Sequence, residues 1–167
     1  FCIGGISTIL GMLSIVEKLE HKNTILQMVA YLMKYSAQNR YEMNMLEGYD
    51  LLNFILSQQS FVITDEVLKS MLILCGLKYK KNKQIQQQQQ QQLEFPTHGV
   101  ISNNVALERL LLDYRIWSNA PFETQRTLFY ILSHLIAEDN QFFKHHINVF
   151  KTLRVVQKML LTLSQCH

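Results

Sequence analysis

Proline is nearly missing from this chain: Pro96 and Pro121 are the only two in 167 residues. A backbone so seldom deprived of an N–H can run in helices, because a proline inside one costs about 3 kcal/mol. Cysteine is scarce, odd in number and scattered, at Cys2, Cys75 and Cys166. That argues against a disulfide framework and for a reducing, cytoplasmic compartment. Cys75 closes the apolar run 70–75, where a thiol acts as a small hydrophobe. An excess of one charge is missing too: the formal balance is +3, short of the clustered basic face of a nucleic-acid binder, so no nucleic acid is expected. Residues 1–16 are uncharged, yet they lack a basic lead, fall short of the roughly 20 apolar residues that cross a bilayer, and include Gly4, Gly5, Ser7, Thr8, Gly11 and Ser14. They read as a buried helix entered through a glycine turn, not as a signal peptide. The missing start methionine and the apolar ends suggest a piece of a longer polypeptide.

Chemistry-bearing motifs are equally absent. There is no Gly-x-Ser-x-Gly, no Walker loop and no dinucleotide fingerprint. Six histidines (His21, His98, His134, His145, His146 and His167) have no His or Cys three or four residues on, so no metal is expected. His134, four residues before Glu138, comes nearest to a core histidine. Glu17 and Glu20 share an exposed helix end with Lys18 and Lys22, which is not a catalytic pair. No cofactor and no catalytic residue follow, and the chain reads as not an enzyme.

What is present is helix after helix. Apolar spacing predicts helices over 6–19, 24–37, 40–47, 49–58, 65–75, 103–113, 121–137 and 148–164. In the second, Ile25, Met28, Val29, Leu32 and Met33 form one stripe behind an Asn23 cap. In the fourth, Leu51, Leu52, Ile55 and Leu56 point inward. In the last, Val149, Leu153, Val156, Leu160 and Leu163 do so. Thr64 caps the helix that opens with Asp65 and Glu66, and Pro121 suits a first helical position. The fold class is all-α, an armadillo/HEAT-like α-solenoid segment with helical units at about 5–76 and 99–165. A compact bundle carries the same stripes. Between the units, 77–98 holds a lysine cluster and a glutamine tract with no apolar stripe, and is expected to be a flexible low-complexity insert.

The stretch 106–136 is written for packing. Its Trp117, the single tryptophan, sits between two helices. One reading makes it a core anchor; the other makes it an exposed hot spot with Tyr114 and Arg115. Gly5, Gly48, Tyr49 and Pro121 join Trp117 as expected structural anchors. Lys78, Lys80, Lys81 and Lys83 are the one local charge feature. They either keep a loop solvated or touch an acidic partner, anionic lipid or nucleic acid.

The residues resemble a family. Gly4-Gly5-Ile6-Ser7-Thr8-Ile9-Leu10-Gly11, Asn39-Arg40-Tyr41-Glu42-Met43, Gly48-Tyr49-Asp50-Leu51-Leu52, Leu112-Asp113-Tyr114-Arg115-Ile116-Trp117, Ala120-Pro121-Phe122-Glu123 and Gln157-Lys158-Met159-Leu160-Leu161-Thr162-Leu163 look like the helical region upstream of the BEACH domain in the large BEACH-domain proteins. The branch is that of the autophagy-linked FYVE protein, with neurobeachin and the lysosomal trafficking regulator as wider relatives. The lysine and glutamine tract departs from that pattern. The resemblance implies a segment of a cytoplasmic scaffold in vesicle trafficking, lysosome biology or autophagy, peripheral to endosomal or lysosomal membranes through regions absent here. Its partners would be proteins or other parts of the same chain. The PH-like, BEACH, WD40 and FYVE modules of such proteins are not in this sequence.

Two functions of different class remain. An interaction module expects no cavity lined with convergent polar groups, whereas a helical enzyme or ligand carrier requires one. Binding of anionic membrane through the lysines is a third, marked by steep salt dependence.

Overall fold

A computed structural model describes residues 5–79 and 95–165. The first half is built from α1 (Gly5–Ile15), α2 (Leu19–Tyr35), α3 (Ala37–Met45), α4 (Gly48–Leu56) and α5 (Asp65–Leu74). The second half opens with the short α6 (Asn104–Ala106), which passes into a π-helix (Leu107–Leu111). α7 (Tyr114–Trp117), α8 (Phe122–Leu135), α9 (Phe143–Thr152) and α10 (Val155–Gln165) follow. Among the described residues there is no strand; a single antiparallel bridge joins Lys78 to His98.

α2 lies along α5, and α1 packs on α2, α3 and α4. α4 and α5 meet the π-helix, α8 touches α5, and α10 pairs with α9. One continuous apolar cluster runs through both halves, from Ile6, Leu10 and Leu13 by way of Leu68, Met71 and Leu72 to Leu128, Ile131 and Leu135. α5 is the hub: every residue from Met71 to Leu74 is buried. Thr64 accepts from the Val67 N–H at its start, as the cap pattern implied.

Several sequence expectations shift. α2 begins at Leu19, so Asn23 lies within the helix instead of capping it, and its Oδ1 is buried without a partner. The inward stripe is Leu26, Val29, Ala30 and Met33, while Met28 is 49% exposed. α2 is apolar on more than one side, and the positions of α1 and α5 decide which side is covered. In α4, Tyr49 is buried and Leu51 faces solvent. The turn before α4 takes its left-handed residue at Glu47, φ 50°, not at Gly48. Gly48 serves close approach instead: a Cβ there would run into the Met43 side chain. Pro121 is the residue before the first helical turn of α8, and its carbonyl accepts from the Gln125 N–H. Gly5 begins α1 beside the Glu42 carboxylate.

The final predicted helix is two. Arg154, at φ 52°, breaks it between α9 and α10. A left-handed residue resets the helical phase, so Val155 is inside and Val156 and Leu160 are 69% and 61% exposed. The stretch 77–98 is narrower at its ends than a structureless insert. Leu77 is buried, Phe95 packs on the core and Pro96 is buried, because each has apolar area to hide. The remainder, with Lys80, Lys81, Lys83 and the glutamine tract, lies outside the described residues.

Candidate functional site

The ends of α2 and α5 leave a recess that α3, α4 and the segment after α5 complete. Gly76 turns the chain out of α5 at φ +99°, a conformation that a side chain resists. Ser102 and Asn103 then dock their N–H groups on the Cys75 carbonyl, at 3.0 and 3.3 Å. Asn103 ties three elements: its Nδ2 donates to the Tyr49 hydroxyl at 2.6 Å and to the Leu74 carbonyl at 3.2 Å, and its Oδ1 caps α6 through the Ala106 N–H. The resulting cavity is about 550 Å³, and Lys34, Arg40, Asn44, Tyr49, Lys78 and Ser102 are in its wall. Convergent polar groups line it, which an interaction module alone did not lead us to expect. Burial raises the Tyr49 pKa, and the Asn103 hydrogen bond only partly opposes this, so the phenol stays protonated. Arg40 Nη1 donates to the Met33 carbonyl at 2.7 Å, closing the C-terminal end of α2. Lys78 is exposed, with its backbone pinned to His98 by two hydrogen bonds of 2.7 and 2.9 Å.

Trp117 is 2% exposed. Its reason is local. The π-helix ends with carbonyls that no following turn satisfies. The indole Nε1–H donates to the Leu110 carbonyl at 3.0 Å, and Asn53 of α4 donates to the Arg109 carbonyl at 2.5 Å. Asn53 also donates to Asp113 Oδ2 at 2.8 Å. Asp113 caps α7 through the Arg115 N–H and takes the Arg115 guanidinium at 2.9 and 2.6 Å. Burial works to raise the Asp113 carboxyl, but the bonds from Arg115 and Asn53 outweigh it and hold it below the ordinary range. The indole therefore sits in the core, not at an exposed hot spot, with Arg115 outside and paired to Asp113. Tyr114 is half-buried, its hydroxyl has no partner, and burial pushes its pKa up to about 12.

The histidine that enters the core is His146, not His134. His146 Nδ1 lies 2.8 Å from the Leu135 carbonyl, which places the proton there, and Nε2 accepts from the Ile101 N–H at 3.4 Å. His145 Nε2 lies 3.0 Å from the Ile101 carbonyl. Two neighbouring histidines of α9 therefore grip both backbone groups of one residue more than forty positions away. The sequence shows the pair but carries no signal of its target. Burial lowers the His146 pKa and keeps it neutral.

These helices match the family described as "Neurobeachin/BDCP, DUF4704 alpha solenoid region" over residues 2–167. The chain belongs to this family. The alpha solenoid is also 28% identical to the human lysosomal-trafficking regulator over 138 residues, which is 82% of this chain and 4% of that relative. No solved structure matches it. The solenoid leaves apolar side chains open on α10, where Val156, Leu160 and Leu161 are 69%, 61% and 63% exposed. Among the described residues no helix is long and apolar enough to cross a membrane, and no group of His, Cys, Asp and Glu could hold a metal ion.

Proposed function

We propose that this solenoid segment is a helical scaffold, a protein-interaction module of a large BEACH-type protein acting in membrane trafficking, lysosomal or autophagic processes. The observation that carries the reading is the α10 face. Val156, Leu160 and Leu161 hold apolar side chains in water on a helix that packs chiefly on α9. In a solenoid each helix pair buries its face on the next, and this chain matches only 4% of a relative named for lysosomal trafficking. Another part of the same long polypeptide, or a protein partner, then covers α10. The protein works on the cytoplasmic side, reaching endosomal or lysosomal membranes through regions outside these residues.

The test replaces Val156, Leu160 and Leu161 by serine. In the 167-residue chain the melting temperature should move by no more than a few degrees, since the side chains are already solvated. In the complete polypeptide the same change should release co-purifying partners or expose α10 to protease, and enlarge or cluster lysosomes in the cell. Unchanged partners, protease pattern and lysosome morphology would overturn the reading.

A further inference from the structure

The cavity beside α2 has one-sided chemistry. Lys34, Arg40 and Lys78 bring positive charge to it, and Asn44, Tyr49 and Ser102 bring neutral polar groups. No carboxylate is in its wall. Five cations elsewhere among the described residues have acid partners: Lys69 with Glu66, Arg109 with Asp50, Arg115 with Asp113, Arg126 with Glu123 and Lys158 with Glu108. Lys18, Lys22, Lys144, Lys151 and Arg154 form no such pair, but they lie outside this cavity. The three cavity cations take part in none of these pairs. Lys34 instead lies over the Tyr31 and Tyr35 rings, 5.8 and 5.1 Å from their centroids. Arg40 commits Nη1 to two carbonyls, which leaves the rest of its planar fork for a ligand. The Tyr49 hydroxyl accepts from Asn103, and its own proton has no acceptor among the described residues.

Like charges brought to one recess repel, and a cleft lined by one sign focuses its field on an ion of the other. The occupant is therefore an anion. The volume of about 550 Å³ lies in the range of small-molecule sites and far exceeds a single oxyanion. A nucleotide is a poor fit: a base needs a ring to stack on, and the one aromatic ring in the wall, Tyr49, is buried in the core. We propose that this cavity binds a compact anion carrying several phosphates, the chemistry shared by a soluble inositol phosphate and a phosphoinositide head group, with Lys34, Arg40 and Lys78 as cationic contacts and Tyr49, Asn44 and Ser102 as neutral donors. The site is independent of the α10 face and of what covers it.

Calorimetric titration of the full 167-residue chain with inositol hexakisphosphate tests it, with sodium sulfate as the simple-charge control. The expected result is one saturable site, weakening steeply as salt is raised and about tenfold or more in a Lys34→Gln/Lys78→Gln double variant. Arg40→Gln is measured separately, with its melting temperature, because Arg40 also closes α2. Lys144→Gln/Lys151→Gln, two exposed lysines of α9 outside the cavity, should bind as the parent does. Co-sedimentation with phosphatidylcholine vesicles containing a phosphoinositide assigns the lipid as source, and binding of the soluble phosphate alone assigns a free metabolite. Absence of saturable binding overturns the proposal. So does undiminished binding by the Lys34→Gln/Lys78→Gln chain, which would move the anion to Lys80, Lys81 and Lys83. Binding of RNA without inositol hexakisphosphate also overturns it.

Discussion

At the scale of single residues, Trp117 and His146 each join an apolar body to a buried polar contact. Trp117→Ala removes a large buried group and its N–H bond to Leu110, and should cost about 3–5 kcal/mol in urea unfolding. Trp117→Phe keeps most of the area but orphans the Leu110 carbonyl, for a smaller loss of about 1–3 kcal/mol. Native indole emission should be blue-shifted and resistant to iodide; ready quenching would contradict a core indole. His146 gives a pH signature. Its folded pKa lies below the ordinary 6.5, because burial disfavours the cation, with nearby His145 adding to this and the Leu135 carbonyl opposing it. The unfolded chain therefore takes up a proton as pH falls through 6.5 while the folded chain does not, until its own lower pKa is reached. In that window the unfolded state binds more protons, so stability decreases as the pH is lowered. His146→Gln should flatten the drop in melting temperature between about pH 7 and about pH 5. Equal slopes for parent and variant would count against this origin.

At the scale of elements, two backbone turns have opposite chemistry. Arg154 holds φ 52° between α9 and α10, a region that costs a residue with a Cβ roughly 1–2 kcal/mol. Arg154→Gly should therefore raise stability by about 1 kcal/mol, less the entropy glycine adds to the unfolded chain. Gly76 already has the residue its φ of +99° asks for, and a Cβ there would also strike the Ser102 hydroxyl. Gly76→Ala should destabilise by about 1–3 kcal/mol. Thermal melts of the two variants check both signs; a destabilised Arg154→Gly would mean that Arg154 makes contacts beyond its turn.

At the scale of the whole molecule, burial is uneven. α5 is enclosed by α2, α8 and the π-helix, whereas α10 meets α9 and is tied to Glu108 by Lys158 at 2.6 Å. Amide hydrogen exchange should be slowest in α5, approaching global unfolding, and fastest among the longer helices in α10. Protection of α10 equal to that of α5 would show that α10 is buried already and remove the support for a missing cover.

The repeat of apolar residues was enough to establish most of the longer helices and the all-α class, because a stripe at helical spacing has few other ways to leave water. Thr64 announced a real cap, since a cap acts within three residues of itself, whereas Asn23 did not, because α2 begins at Leu19 ahead of it. Which side of α2 faces inward, and that Tyr49 rather than Leu51 is covered, depended on neighbours distant in the chain. The break at Arg154 was illegible, for an arginine carries no mark of a left-handed turn. The grip of His145 and His146 on Ile101, and the meeting of Lys34, Arg40 and Lys78 around one cavity, exist only because separate helices end at the same place. Periodicity is a local property that one helix expresses alone, and the sequence by itself determined that much. Convergence of charge and the pairing of buried polar groups are decided by tertiary packing, where the cost of an unpaired group selects among faces that look alike in the sequence.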